Sequence, residues 1–76
     1  MKELLEIIAR NLVDYPEQVS ITEKEGDRAC ILELKVAPDD MGKVIGKQGR
    51  IAKAIRTVVK AAAIHEDKKI IVEIVQ

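Results

Sequence analysis

Val44-Ile45-Gly46-Lys47-Gln48-Gly49-Arg50 joins the end of one predicted helix to the start of the next. Its two glycines stand three residues apart. Glycine takes backbone conformations that a Cβ forbids, and its bare surface lets another backbone come close. The leading N–H groups of the following helix have no intrahelical acceptor, so a helix that begins here offers donors to an anion. Lys47 and Arg50 add positive charge beside those donors, and Lys53 follows one turn later. Such a loop suits a phosphodiester backbone, with bases laid along an adjacent groove. Two glycines at this spacing also occur in plain helix–helix turns, where the first acts as a C-cap. The flanking sequence separates the two readings.

Downstream, a long helix is predicted from about residue 50 to 64. Ile51, Ile55, Val58 and Ala62 form an apolar stripe assigned to the sheet, and Lys53, Arg56 and Lys60 form a basic one. A second row, Ala52, Val59 and Ala63, lies beside the first, so the apolar face is broader than one sheet contact needs; this row either offers a surface for pairing with another molecule or packs on the neighbouring short helix or the N-terminal helix. Residues 65–68 read as a loop, and 69–75 as a strand rich in β-branched residues. Upstream, Pro38 with Asp39 and Asp40 signals a helix start, giving a short helix over about 38–45. Before it, Cys30, Leu32, Leu34 and Val36 alternate inward along a strand over 28–36. Glu25-Gly26-Asp27 reads as a turn with Gly26 free to take positive φ, and a strand over 18–24 places Val19 and Ile21 on one face. Leu4, Leu5, Ile8, Leu12 and Val13 mark an amphipathic helix over 3–14, which Pro16 brings to an end. The order is α-β-β-α-α-β. Two helices between the last two strands suit a parallel pair. The expected fold is α+β, a three-stranded mixed sheet with three helices on one face.

Seventy-six residues make one domain, expected to span 1–76. Tyr15 is the only aromatic residue, so aliphatic side chains must build the core. Cys30 is the only cysteine, which excludes an internal disulfide and argues against a cysteine-based metal site. His65 stands alone in a predicted loop, so no metal ligands and no cofactor are expected. No apolar run is long enough to span a membrane, and the N-terminus lacks the pattern of an export signal; both point to the cytoplasm. The net charge is zero, but only as an average. Residues 1–40 carry ten acidic and five basic side chains, whereas 41–64 carry Lys43, Lys47, Arg50, Lys53, Arg56 and Lys60 and no acid. Such asymmetry points to a nucleic-acid face. Gly46-Lys47 is not a P-loop, because Met41 and Gln48 replace the glycine and hydroxyl residue that motif requires. No nucleophile, base and oxyanion donors converge, so an enzyme is not expected.

Val44-Ile45-Gly46-Lys47-Gln48-Gly49 resembles the signature V-I-G-x-x-G of the KH family, and the α-β-β-α-α-β order resembles its type II arrangement. On that resemblance the β-α-α-β core covers about 28–75, preceded by a helix and strand over about 3–24. KH loops clamp about four nucleotides of single-stranded RNA. The resemblance implies RNA contacts by Ile45, Gly46, Lys47, Gln48, Gly49, Arg50 and Lys53. Gly46–Gly49 would touch the sugar–phosphate backbone, Ile45 and the start of the next helix would floor the base groove, and residues 65–69 would match its other side. Many KH domains carry Ile where this chain has Ala52, which implies a shallower or wider floor. Similarity to the small bacterial single-domain members implies an RNA chaperone or post-transcriptional role linked to cell elongation, cell shape and cell-wall biogenesis. It also implies work as a homodimer, or as a heterodimer with a second KH-containing protein. A KH scaffold reduced to a protein-interaction module is the alternative, and the retained Lys47 and Gln48 weigh against it.

Overall fold

A computed structural model describes residues 1–75. Three helices, α1 (Lys2–Leu12), α2 (Met41–Ile45) and α3 (Arg50–Ala62), cover one face of a sheet of three strands, β1 (Ser20–Glu25), β2 (Ala29–Lys35) and β3 (Lys69–Val75). The strand order is β1-β2-β3. β1 runs antiparallel to β2, from Ser20 opposite Lys35 to Glu25 opposite Cys30. β2 and β3 are parallel, from Ala29 opposite Lys69 to Lys35 opposite Val75. The element order and the mixed sheet are those expected of a type II KH fold.

The core lies between sheet and helices. Leu5 and Ala9 of α1, Val44 of α2, and Ile55 and Val59 of α3 close over Val19, Ile21, Cys30, Leu32, Leu34, Val36 and Val72. The alternation in β2 holds without exception, because each inward residue falls two along from the last. Ile31, Glu33 and Lys35 project to the opposite face with Ile71, Glu73 and Val75.

Several local expectations need correction. Pro16–Gln18 forms a 3₁₀ turn, so β1 begins at Ser20 rather than at 18. The segment expected as one helix over 38–45 is a 3₁₀ turn, Pro38–Asp40, followed by α2. Positive φ among the described glycines occurs at Gly46 and Gly49, not at Gly26, whose N–H instead donates to the Ala29 carbonyl at 2.8 Å. In α3 the buried row is Ala52, Ile55 and Val59, while Val58 is 48% exposed and Ala62 is also exposed. The buried face thus takes Ile55 from the first row and Ala52 and Val59 from the second, and the helix is rotated so that Val58 and Ala62 face away.

One buried polar group ties the helical layer together. Asp40 is fully buried. Its carboxylate accepts the backbone N–H of Asp14 at 3.1 Å and of Tyr15 at 3.0 Å. The Lys43 ammonium lies 3.4 Å from Asp40 and 3.1 Å from Asp14. A buried carboxylate is tolerated only when it is hydrogen-bonded and paired, and here both conditions hold. Burial opposes the charge on Asp40, but the Asp14 and Tyr15 N–H groups and Lys43 outweigh it and hold the carboxyl below its ordinary range. This knot fixes the corner after α1 against the start of α2.

A basic loop and groove

α2 ends at Gly46, whose φ of 75° and ψ of 173° lie in a region open essentially to glycine alone. Its N–H donates to the Gly42 carbonyl at 2.8 Å, closing the last turn of the helix. Space also demands glycine here, since a Cβ on Gly46 would sit 2.5 Å from Cγ1 of Ile51. Lys47–Gly49 then makes a 3₁₀ turn, with Gly49 N–H donating to the Gly46 carbonyl at 3.1 Å. Gln48 is left-handed at φ 58°, ψ 24°, and Gly49 is left-handed at φ 73°, ψ 15°. Unlike Gly46, Gly49 has open space where its Cβ would be. Its requirement for glycine is conformational only.

α3 starts immediately afterwards with no side chain capping its N-terminus. The Arg50 N–H donates to the Lys47 carbonyl, and the N–H groups that follow it, with no side chain to cap them, lie at the positive end of the helix dipole. Lys47, Gln48, Arg50 and Lys53 are exposed around this point, and Ile45 and Gly49 are half-buried. Arg50 Nη2 approaches Gln48 Oε1 at 3.4 Å, which holds the guanidinium over the loop. Of the seven residues expected at the site, Ile45 ends α2, Gly46, Lys47, Gln48 and Gly49 form the loop, and Arg50 and Lys53 lie in the first turn of α3. Lys43, counted in the same basic run, belongs instead to the Asp40 knot. Hydrogen bonding to Asp14 leads the causes that raise its pKa.

β3 returns alongside α3 and packs next to it. The 65–68 loop, however, joins the far end of α3. Thirteen residues of helix span roughly 20 Å, so this loop stands well away from Gly46–Gly49. Ala52, read as part of the floor, is buried at 5% exposure, whereas Ile51 is half-buried beneath Gly46.

Sequence reasoning missed two features. Arg56 of α3 donates from Nε to the carbonyl of Val72 in β3 at 3.1 Å. At the opposite edge of the sheet, ligand atoms of Glu23, Glu25 and Cys30 lie within 4.8 Å of one another. Register brings them together, because Glu25 pairs with Cys30 and Glu23 follows the inward alternation of Val19 and Ile21. Burial first, then the neighbouring Glu23 and Glu25, push the Cys30 thiol up, so it stays protonated near neutral pH. Glu25 is also met by Lys68 at 3.8 Å. No helix among the described residues is long and apolar enough to cross a membrane.

Comparison with known proteins agrees with this geometry. A family model described as "KhpA/KhpB, KH domain" matches residues 2–74. The chain is 72% identical over 75 residues to a Clostridium perfringens protein named RNA-binding protein KhpA, covering 99% of this chain and 100% of that one. It is 54% identical to the protein of that name from Listeria monocytogenes, with both chains covered in full. Among solved structures it is similar to Aquifex aeolicus Era bound to GDP and aluminium fluoride, with a TM-score of 0.66 at 19% identity, covering 96% of this chain and 28% of that one. It also resembles Era in complex with MgGDPNP and part of 16S ribosomal RNA, with a TM-score of 0.59 at 20% identity, covering 97% of this chain and 30% of that one. At those identities the likeness concerns the fold. The family match and the curated relatives together place this chain in the KhpA/KhpB family of KH domains.

Proposed function

We propose that the chain binds single-stranded RNA, with residues 1–76 acting as one KH unit. The observation that carries this reading is the meeting of an uncapped helix N-terminus with a basic, exposed loop. Gly46, Lys47, Gln48 and Gly49 grip the sugar–phosphate backbone. Arg50 and Lys53 supply charge along the path, and Ile45 offers an aliphatic surface to a base. The names of the curated relatives favour RNA over other polyanions. The role is that of a binding protein rather than an enzyme. It acts in the cytoplasm as an RNA chaperone or post-transcriptional regulator, connected with cell elongation and cell shape.

One four-nucleotide groove without an aromatic stacking platform binds weakly, in the micromolar range. Pairing with a second copy, or with a KhpB-type partner, raises effective concentration without new contacts. The exposed Val58 and Ile64, at 48% and 75%, favour such an apolar contact through the outer side of α3. Val58→Glu is therefore the substitution that probes pairing, whereas buried Val59 would report on folding.

Fluorescence anisotropy with short unstructured RNA and its matching duplex tests the binding reading. Single strands should bind preferentially, with a slope of log affinity against log salt near −2 for about three phosphate contacts. Preference for duplex, or affinity that ignores salt, would contradict it.

A further inference from the structure

β1 lies at one edge of the sheet, with β2 as its strand neighbour. Along an antiparallel pair, hydrogen-bonded and non-hydrogen-bonded residues alternate. The Gly26 N–H donates to the Ala29 carbonyl at 2.8 Å, and the register counts back from there. Ser20, Thr22 and Lys24 therefore bond to β2, and Ile21, Glu23 and Glu25 turn their N–H and C=O groups to the free edge. Ile21 is the one buried residue of the strand, and the rest stand exposed. Such an edge pairs with another strand wherever its side chains allow it.

The flanking side chains decide what can pair. Glu23 and Glu25 share the Ile21 side of the strand. Lys24, on the other side, is taken up by Glu33 at 3.2 Å. Beside the two glutamates lies an open depression of about 260 Å³, which Glu66 and Asp67 also line. Four carboxylates there face Lys68, 3.8 Å from Glu25, and Met1, whose amine lies 3.9 Å from Glu3. Cys30 and Ile70 add an apolar lining. A second copy of β1 would bring its own glutamates to this edge, and like charges across a strand pair are destabilising. RNA, a polyanion, is repelled for the same reason. An extended segment with arginine or lysine at every second residue meets both demands. Its backbone completes the ladder, and its cations reach the carboxylates while their aliphatic stems cover the apolar lining.

We propose that the β1 edge is a docking surface for an extended basic segment of a partner protein, which adds to the sheet as a fourth strand. The carboxylates that keep two copies of this edge apart select that partner. The depression reaches the 65–68 loop, at the end of α3 far from Gly46–Gly49. The inference therefore goes beyond the RNA-binding reading and stands or falls independently of it.

The test adds a labelled peptide of alternating arginine and threonine to the full chain, read by fluorescence anisotropy and by amide hydrogen exchange in NMR spectra. The peptide should bind, and the N–H groups of Ile21, Glu23 and Glu25 should exchange at least about tenfold more slowly in its presence, as donors newly paired in a ladder do. Glu23→Gln combined with Glu25→Gln, its fold checked by a melting curve, should weaken binding at least about fivefold through loss of charge-assisted contacts. A fully N-methylated peptide keeps the charge but lacks every backbone donor, and a peptide of glutamate and threonine keeps the backbone but reverses the charge. Both should bind at least about tenfold more weakly. Equal binding of the N-methylated peptide reduces the contact to charge attraction and overturns the inference. So do an unchanged affinity in the folded double variant, protection confined to β3, and absence of binding. Slowed exchange of the three N–H groups in concentrated protein alone, or on adding single-stranded RNA, names a second copy or RNA as the occupant and overturns it too.

Discussion

At the N-terminal end of α2 a buried carboxylate, Asp40, meets two backbone N–H groups and the Lys43 ammonium. At the C-terminal end Lys47 and Gln48 stand exposed on a turn held by glycines and left-handed backbone. The two ends belong to one five-residue helix. Lys43, within α2, and Lys47, just past the Gly46 break, consequently do different things. The first is satisfied within the fold and has little left to offer a ligand. The second has its charge in water, where an arriving phosphate lowers its energy. Charge that is already paired maintains shape, and charge left open is available for recognition. α2 separates the two, so each can be perturbed without the other.

Gly46→Ala should break this arrangement most. The substitution meets a forbidden backbone region and the Ile51 side chain together, at a combined cost of about 2–4 kcal/mol. Chemical denaturation should show that loss, with RNA binding falling alongside it because the loop can no longer hold its path.

Asp40→Ala strikes the other end. It removes the acceptor for two backbone donors and leaves Lys43 to Asp14 alone, so the melting temperature should fall by several degrees. RNA affinity of the remaining folded protein should be nearly unchanged. The same group predicts an acid limit. Asp40 titrates lower in the folded protein than in the unfolded chain, so its stabilisation is whole above about pH 4 and is lost as pH falls through the folded value. Melting curves between neutral and acidic pH should show this decline, and Asp40→Ala should reduce it.

Gly49→Ala sharpens the contrast within the loop. It has open space for a methyl group and suffers only from left-handed φ, at roughly 1–2 kcal/mol. Gln48 already tolerates that region next door. Denaturation midpoints should rank wild type above Gly49→Ala, and Gly49→Ala above Gly46→Ala.

What the sequence disclosed and what it withheld follow from the range of the interactions. The β2 alternation and the loop glycines were legible because both depend on neighbours a few residues away. The inward row of α3 was misassigned because apolar residues occupy two adjoining rows, and side-chain size misled: Val58 is larger than Ala52, yet faces out. The Asp40 knot was hidden because its partners are main-chain N–H groups 25 and 26 residues earlier, which any residue but proline carries. Arg56 was visible as a charge, but its partner is a carbonyl of β3, so no side-chain pattern marked it. At the site, the loop and its flanking cations were legible as a set. Which cations were already engaged became clear only with the fold.

The most direct measurement is RNA affinity and melting temperature taken together for Lys47→Asp combined with Gln48→Asp. Both side chains are exposed, and Asp at position 48 accepts left-handed backbone better than most residues. Two negative charges placed against the phosphates, each lost contact costing about 1 kcal/mol or more, should lower affinity at least about tenfold. The melting curve should stay close to wild type. A double variant that melts normally and binds single-stranded RNA as tightly as wild type would contradict the assignment of the loop as the RNA clamp.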